Sequence, residues 1–354
     1  LLPPPGRVIG RPQRLKANEN KSFQGSIVLG MGFVLTPEEA DALIECNPSN
    51  RDCLFPYLNC EDLNSRPDQS PSRWVINFQD WPLNRAGEGI WLTAGDKARK
   101  DWLRSGVVPA DYPGPVAADY LDLLAIVEDK VKPERTRKNE KGEYQLRYPL
   151  YLKWWIYADK RPELYATIEG MERVLVGVLH SKYWALSLTT SEQVFSHALV
   201  VIGGNAFSEL VVLSSSFHES WALERGSSLE TRFRYTPSDC FETFSFPSTI
   251  DKINSIGKHH HEHRMSIMQA RNEGLTQTYN RFHDPAEISS DIVELRRLHI
   301  EMDQAVAAAY GWQDINLGHG FHDTKQGIRY TISEPARREV LDRLLELNHQ
   351  RYAE

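Results

Sequence analysis

The run SSLETRFRYTPSDCFETF, Ser227 to Phe244, decides how the middle of this chain is read. Its first half alternates. On an extended strand Leu229, Thr231, Phe233 and Tyr235 fall on one side, and Glu230, Arg232 and Arg234 on the other. Such a face carries one carboxylate and two guanidinium groups in a row. Arginine matches the O6/N7 edge of guanine with two hydrogen bonds, and glutamate can accept from the N4 amine of cytosine. Alternate strand residues lie roughly 6.5–7 Å apart and stacked base pairs about 3.4 Å, so one strand face can reach several adjacent pairs. A surface ion-pair ladder, common and worth little in stability, fits the same spacing.

Upstream of this run the pattern is β-rich: RVLVGVLHS, YWALSLTT and VFSHALVVIG, followed by a helix over Ser208–Gly226. Nearer the start, GSIVLGMGFVL (Gly25–Leu35) reads as β with glycine turns. TPEEADALIE opens a helix with Thr36 as N-cap and Pro37 in the first position. RWVINF (Arg73–Phe78) is a short strand, 84–115 is loop-like with a helical patch at Asp96–Arg104, and Val116–Arg135 is helical until Pro133. Arg161–Gly170 is a short helix. Beyond Phe246–Pro247 the chain is mostly helical: Ile250–Glu273, Glu287–Tyr310 and Pro335–Tyr352. The expected class is therefore α+β, a mixed domain with a short-stranded β core followed by a helical C-terminal segment. Residues 1–24 are expected to be a lead-in, 25–248 the mixed domain and 249–354 the helical one.

With 354 residues, 41% hydrophobic and 25% charged, the chain can bury a sizeable core. The formal charge of −7 means that a polyanion would have to be met by locally gathered cations. They gather between Lys130 and Lys153, where eight basic residues face three acids. Phosphate contact and a solvated loop are equally compatible with that excess. The lead-in is also basic, with Arg7, Arg11, Arg14, Lys16 and Lys21 against Glu19. Cys46, Cys53, Cys60 and Cys240 form no C-x-x-C pair, and reduced thiols in the cytoplasm are the simplest expectation. No apolar run has the length of a membrane span, and LLPPPGRVIGRPQR lacks the pattern of a signal peptide. The missing initiator Met suggests the middle or end of a longer protein.

Other clusters read more blandly. His259 and His263, four apart in GKHHHEHR, share a helix face but lack a third metal ligand in the pattern. GHGFHDT (Gly318–Thr324) reads as a turn, and Trp154–Trp155 as core rather than a base-stacking pair. VLSSSFHESW lacks a nucleophile elbow. VIGGN (Val201–Asn205) fails the dinucleotide fingerprint, no P-loop occurs, and CNPSN falls short of an Asn-Pro-Pro-aromatic tetrapeptide.

Taken together, SFQGSIVLGMGFVLT, LFPYLNCEDLNSRPDQSPSRWVINFQDWP, LAIVEDKVKPER, RPELY, VFSHALVV, SSLETRFRYTPSDCFETFSFP, LTQTYNRFHDP and HGFHDTKQGIRYTISEPARREVLDRLLELNHQRYAE resemble the C-terminal half of one family. That family comprises the large bacterial adenine-N6 DNA methyltransferases and the single-chain type IIG and IIL restriction–modification proteins. The stretch from about Gly87 to Tyr120 fits least well. The resemblance implies a target-recognition domain and a helical C-terminal segment. It also implies a preceding catalytic part, carrying S-adenosylmethionine and an Asn-Pro-Pro-Tyr motif, that this chain lacks. No catalytic, cofactor-binding or metal-binding residue is therefore expected here. In type IIL relatives the G-x-L-E-x-R-x-R-Y stretch reads a base pair; the matching residues are Glu230 and Arg232, with Arg234 one step further. The departure lies at Ser227 or Ser228, where a relative carries another small residue. The expected partners are double-stranded DNA and the catalytic domain, in the same chain or another. Lys138, Lys141, Arg147, Lys153 and Lys182 are candidates for the DNA backbone. Two rivals remain: a protein-interaction module, and a metal-dependent hydrolase using His218, Glu219 or the His259–His263 cluster.

Overall fold

The computed structural model describes residues 10–229 and 232–354, with the backbone alone at 227–229 and 232. The expected α+β class is what it shows. Strand β1 (Ser22–Gln24) and the two-residue β2 (Val34–Leu35) precede helix α1 (Pro37–Cys46). The start of α1 is a reciprocal capping box: Glu39 N donates to Thr36 Oγ1 at 3.2 Å and Thr36 N to Glu39 Oε2 at 2.9 Å. Then come β3 (Leu54–Leu58), α2 (Cys60–Ser65), β4 (Arg73–Ile76), β5 (Asn84–Gly87), α3 (Asp96–Ser105), β6 (Val107–Pro109), α4 (Leu121–Lys130) and α5 (Lys132–Arg135). After an irregular stretch, α6 (Pro162–Ile168) leads into β7 (Arg173–Val178), β8 (His180–Ser181), β9 (Leu186–Thr190), β10 (Val194–Phe195) and β11 (Leu199–Ile202). Helices α7 (Phe207–Ser214) and α8 (Ser216–Arg225) precede β12 (Ser227–Leu229) and β13 (Arg232–Arg234). The remainder is α9 (Asn254–Arg271), α10 (Leu275–Phe282), α11 (Ser290–Tyr310), β14 (Gly320–Thr324), β15 (Gly327–Thr331) and α12 (Glu334–Ala353).

The central sheet, in the order β1-β11-β7-β9, is antiparallel throughout. Its β7 strand is apolar at nearly every position because both faces are covered. Val174, Val176 and Val178 point to one side, against Leu58, Leu63 and Leu164. Leu175 points to the other, with Leu210, Leu213, Trp184 and Tyr235. A second sheet, β10-β3-β4-β2, packs with α4 and with Trp154 and Trp155, both buried as expected.

Several expectations change. The helix read over Ser208–Gly226 is two helices, broken at Ser215, whose backbone is extended and whose hydroxyl accepts from His218 N; a run of serines favours such a cap over a continuous helix. Residues 10–24 are built into the fold rather than leading up to it. Leu15 is buried, and Asn18 Nδ2 donates to the carbonyls of Phe241, Glu242 and Phe244. The junction at Ser248 crosses a shared core: Val211, Phe217, Trp221 and Phe244 pack with Met302, Val340 and Leu344. Residues 320–331, absorbed into a helical tail by the sequence reading, form the β14–β15 hairpin.

The basic segment after α4 is rooted by Arg135, which is 1% exposed. Its guanidinium donates to the carbonyls of Val28 (2.8 Å), Leu29 (2.7 and 3.0 Å), Ile156 (2.7 Å) and Lys153 (3.4 Å). One side chain thus ties the end of α5, the 28–29 turn and the far end of the loop together. Replacing Arg135 by Met keeps volume but strands buried carbonyls, each costing on the order of 1–3 kcal/mol. The expected outcome for R135M is a loss of about 3 kcal/mol in urea unfolding, with new protease cleavage between residues 136 and 152. A midpoint equal to the parent's would contradict the anchoring role.

Candidate nucleic-acid interface

Two short strands, not one long one, occupy the run that opened the sequence analysis. β12 and β13 are antiparallel, with Ser227 opposite Arg234, Ser228 opposite Phe233 and Leu229 opposite Arg232. The link between them, Glu230–Thr231, lies outside the described residues, and so does the expectation for Glu230. The expectation for the Arg232 side chain is likewise beyond what is described; its backbone lies in β13. The alternation misled because both arms of a hairpin alternate, and no Asn-Gly or Gly-x pair marks the link.

The third strand of this sheet is β8, with His180 opposite Arg234 and Ser181 opposite Phe233. The alternation does hold along β13 itself. Phe233 and Tyr235 are buried, at 6% and 0% exposure, while Arg234 is exposed. Tyr235 lies on Trp184 with centroids 3.9 Å apart and rings 4° from parallel, and its hydroxyl meets His218 Nε2 at 3.0 Å. Trp184 Nε1 in turn donates to the Leu213 carbonyl at 2.8 Å. Gly226 is required at the entrance: a Cβ there would collide with the Phe233 ring and with the carbonyl oxygens of Arg234 and Ala222. The polar edge of the hairpin therefore stands on a rigid aromatic base.

The remaining candidates fall in two places. Lys138, Lys141 and Arg147 are exposed on the loop rooted by Arg135, and none is in an ion pair among the described residues. Asn139 shapes that loop by accepting from Lys141 N and Glu143 N. Three tyrosines share it: Tyr144 stacks on Tyr151 at 3.9 Å, Tyr148 stands 6.4 Å from Tyr151, and Lys138 Nζ sits 4.8 Å from the Tyr144 ring centre. Lys153 is only half-exposed and donates to the Leu103 carbonyl at 3.1 Å; burial lowers its pKa. Arg135, counted among the local cations, faces inward. Lys182 stands on the other site, beyond β8, with its ammonium 2.8 Å from Asn280 Oδ1. Arg7 lies outside the described residues.

A cleft of about 1050 Å³ lies elsewhere. It is lined by residues of mixed charge, among them Arg51, Asp80, Lys160 and Glu192 with Trp74, and shares no residue with the hairpin. The residues of the rival hydrolase reading do not converge. His218 is buried and bonded to Tyr235, His263 Nε2 donates to the Asp291 carbonyl at 2.8 Å, and His259 is exposed. Among the described residues no group of three or more His, Cys, Asp or Glu could hold a metal ion. After the Gly203–Gly204 step from β11 to α7, Ala206 N donates to Glu209 Oε2 and Ser208 N to Asn254 Oδ1. No helix among the described residues is long and apolar enough to cross a membrane.

No family model matches the sequence, and no curated protein matches it. The solved structure of the Type IIL restriction–modification enzyme MmeI in complex with DNA is similar to this chain, with a TM-score of 0.56 and 18% identity. The likeness is one of fold. It covers 98% of this chain and 38% of the MmeI chain, so this chain spans well under half of that protein's length.

The aromatic base imposes a pH limit. Burial pushes the His218 imidazole down to about 3 and His299 to about 4, and holds His260 and His283 well below the usual histidine range. An unfolded histidine titrates near 6.5. Below that pH the unfolded chain takes up protons that the folded chain refuses, so stability falls as pH drops from about 6.5 toward 4. Glu219 acts in the opposite sense, since burial pushes its carboxyl up to about 7 and its contribution is lost as pH rises through that value. One carboxyl does not offset four histidines. The urea midpoint should therefore be lower at pH 5 than at pH 7, and equal midpoints would show that these imidazoles are not held neutral.

Proposed function

We propose that this chain is the DNA target-recognition part of a restriction–modification or adenine-N6 DNA methyltransferase enzyme. The observation that carries the reading is the β8–β13 platform. It fixes Phe233 and Tyr235 in the core and leaves Arg234 projecting, and it belongs to a fold similar to that of an enzyme solved on DNA. In this reading Arg232 donates to a guanine edge, Glu230 accepts from the paired cytosine or orients the arginine, and Arg234 takes a neighbouring base or phosphate. Lys138, Lys141 and Arg147 hold phosphates from their loop. These phosphate contacts position the duplex, whereas groups on base edges specify the sequence. S-adenosylmethionine and the chemistry of methyl transfer belong to a catalytic part outside this chain, where the target adenine would be flipped into a pocket.

The test is selection of bound duplexes from a randomised pool by the 354-residue chain. Arg232→Ala should cost about 1–3 kcal/mol on the selected site and little on other DNA. The swap of Glu230→Lys with Arg232→Asp should move preference at one position only. Neutralising Lys138, Lys141 and Arg147 together should weaken every duplex alike and flatten the salt dependence by up to about 0.9 per lost contact. An unchanged consensus from the swap, with binding retained, excludes base reading by this pair.

A further inference from the structure

Three cations and an imidazole stand together where the C-terminal hairpin meets the β12-β13-β8 sheet. His180 and Arg234 are cross-strand partners. Lys182 follows His180 by two residues, and its Nζ sits 4.9 Å from the centre of the Tyr183 ring. Arg329, on β15, places its guanidinium carbon 4.9 Å from the centre of the same ring. Among the described residues none of the four has a carboxylate within ion-pair distance; Lys182 is bonded instead to the neutral Asn280 side chain, and Arg329 to the Ile328 carbonyl. The nearby Arg281 is already saturated by Glu273 and Glu287.

The arrangement gathers like charges with no ion pair to relieve them among the described residues, and the one buried carboxyl that feels Arg329, Glu219, is itself pushed up to about 7 by burial. It is also rigid. Tyr183 is 8% exposed, its hydroxyl donates to Asn280 Oδ1 at 2.7 Å, and its ring stacks on His283 at 4.9 Å. His283 Nδ1 accepts from Tyr330 N at 3.0 Å, so the β15 backbone is bolted to the same cluster. Arg296 braces the hairpin from the other direction, 4.9 Å from the Phe321 ring centre and 5.5 Å from that of Tyr330. The field of the cluster reaches the neighbouring imidazoles: Arg234 helps lower the exposed His180, and Arg329 and Lys182 help lower the buried His283, with loss of solvation the larger cause in each case.

We infer that the β14–β15 hairpin is a second DNA-contacting arm, in which Arg329 and Lys182, held against the Tyr183 ring, clamp duplex phosphates beside the strand that carries Arg234. This rests on the proposed recognition role and extends it to the C-terminal segment, which supplies a grip on the duplex as well as helical packing. Lys325 is exposed at the hairpin's turn.

The experiment measures binding of the 354-residue chain to a short duplex at several salt concentrations, for the parent and for Arg329→Gln, Lys182→Gln, the double variant and Arg329→Lys. Each neutral variant should flatten the slope of log K against log[salt] by about 0.9 and the double variant by about twice that, with the selected sequence unchanged. Arg329→Lys keeps the charge and should keep the slope, which separates charge from folding. Slopes equal to the parent's in all neutral variants overturn the clamp and leave the recognition role standing. A slope lost equally in Arg329→Lys overturns the clamp as well, since charge would not be what matters. Absence of any binding by the parent chain overturns both.

Discussion

Tyr235 lying flat on Trp184, with its hydroxyl on His218, fixes where β13 can be. Three parts of the chain meet in that contact: β13, the β8–β9 connection that carries Trp184, and helix α8 that carries His218. Trp184 extends it to the end of α7 through the Leu213 carbonyl. A stacked aromatic pair with both polar handles bonded is stable only in one geometry, because an unmade bond at a buried hydroxyl or indole costs as much as the bond contributes. Arg234 is then exposed by necessity, since its neighbours on either side are locked inward.

Buried arginines do comparable work for the irregular segments. Arg135, Arg264 and Arg296 are nearly inaccessible; Arg135 and Arg296 are spent on backbone carbonyls, and Arg264 on one carbonyl and the hydroxyls of Ser187 and Tyr279. Arg264 donates to Leu186 and so joins α9 to the central sheet; Arg296 collects the carbonyls of Arg281, Phe282, Asp284 and Glu287 at the end of α10. Five fixed donors make one guanidinium able to close a turn that has no regular partner. Loops carrying exposed cations can then be long without being slack.

The sequence made the class legible where a single rule dominates. Alternation placed Phe233, Arg234 and Tyr235 on their correct sides, the Thr36–Glu39 spacing marked the start of α1, and the apolar run 173–178 was recognisable as a strand. It was misleading where one pattern serves two structures. Ser227–Tyr235 alternates equally well as a strand or as a hairpin without a glycine turn, and Gly318–Thr331 carries Gly, His and Asp that suggest a turn although β14 and β15 pair in full register. Arg135 could not be told from its solvated neighbours, because local sequence counts charge but does not say which arginine the distant carbonyls of Val28 and Leu29 will claim. The Tyr183 cluster was invisible for the same reason: Lys182 and Arg329 are brought to one ring only by the fold.

A chain of net charge −7 is an unpromising partner for a polyanion until its charges are sorted by what they face. Many acids on the C-terminal helices are consumed locally. Arg297 bridges Glu294 and Glu301, Glu334 holds Arg337 and Arg338, and Arg343 bridges Asp314 and Glu339. Such exposed pairs add little stability, but they remove both partners from the far field, leaving small dipoles. Among the described residues, the cations that form no ion pair include Lys138, Lys141 and Arg147 on the loop, and Lys182, Arg234 and Arg329 near Tyr183. Screening erases charge beyond about 10 Å at moderate salt, so an approaching phosphate responds to these clusters and not to the net sum.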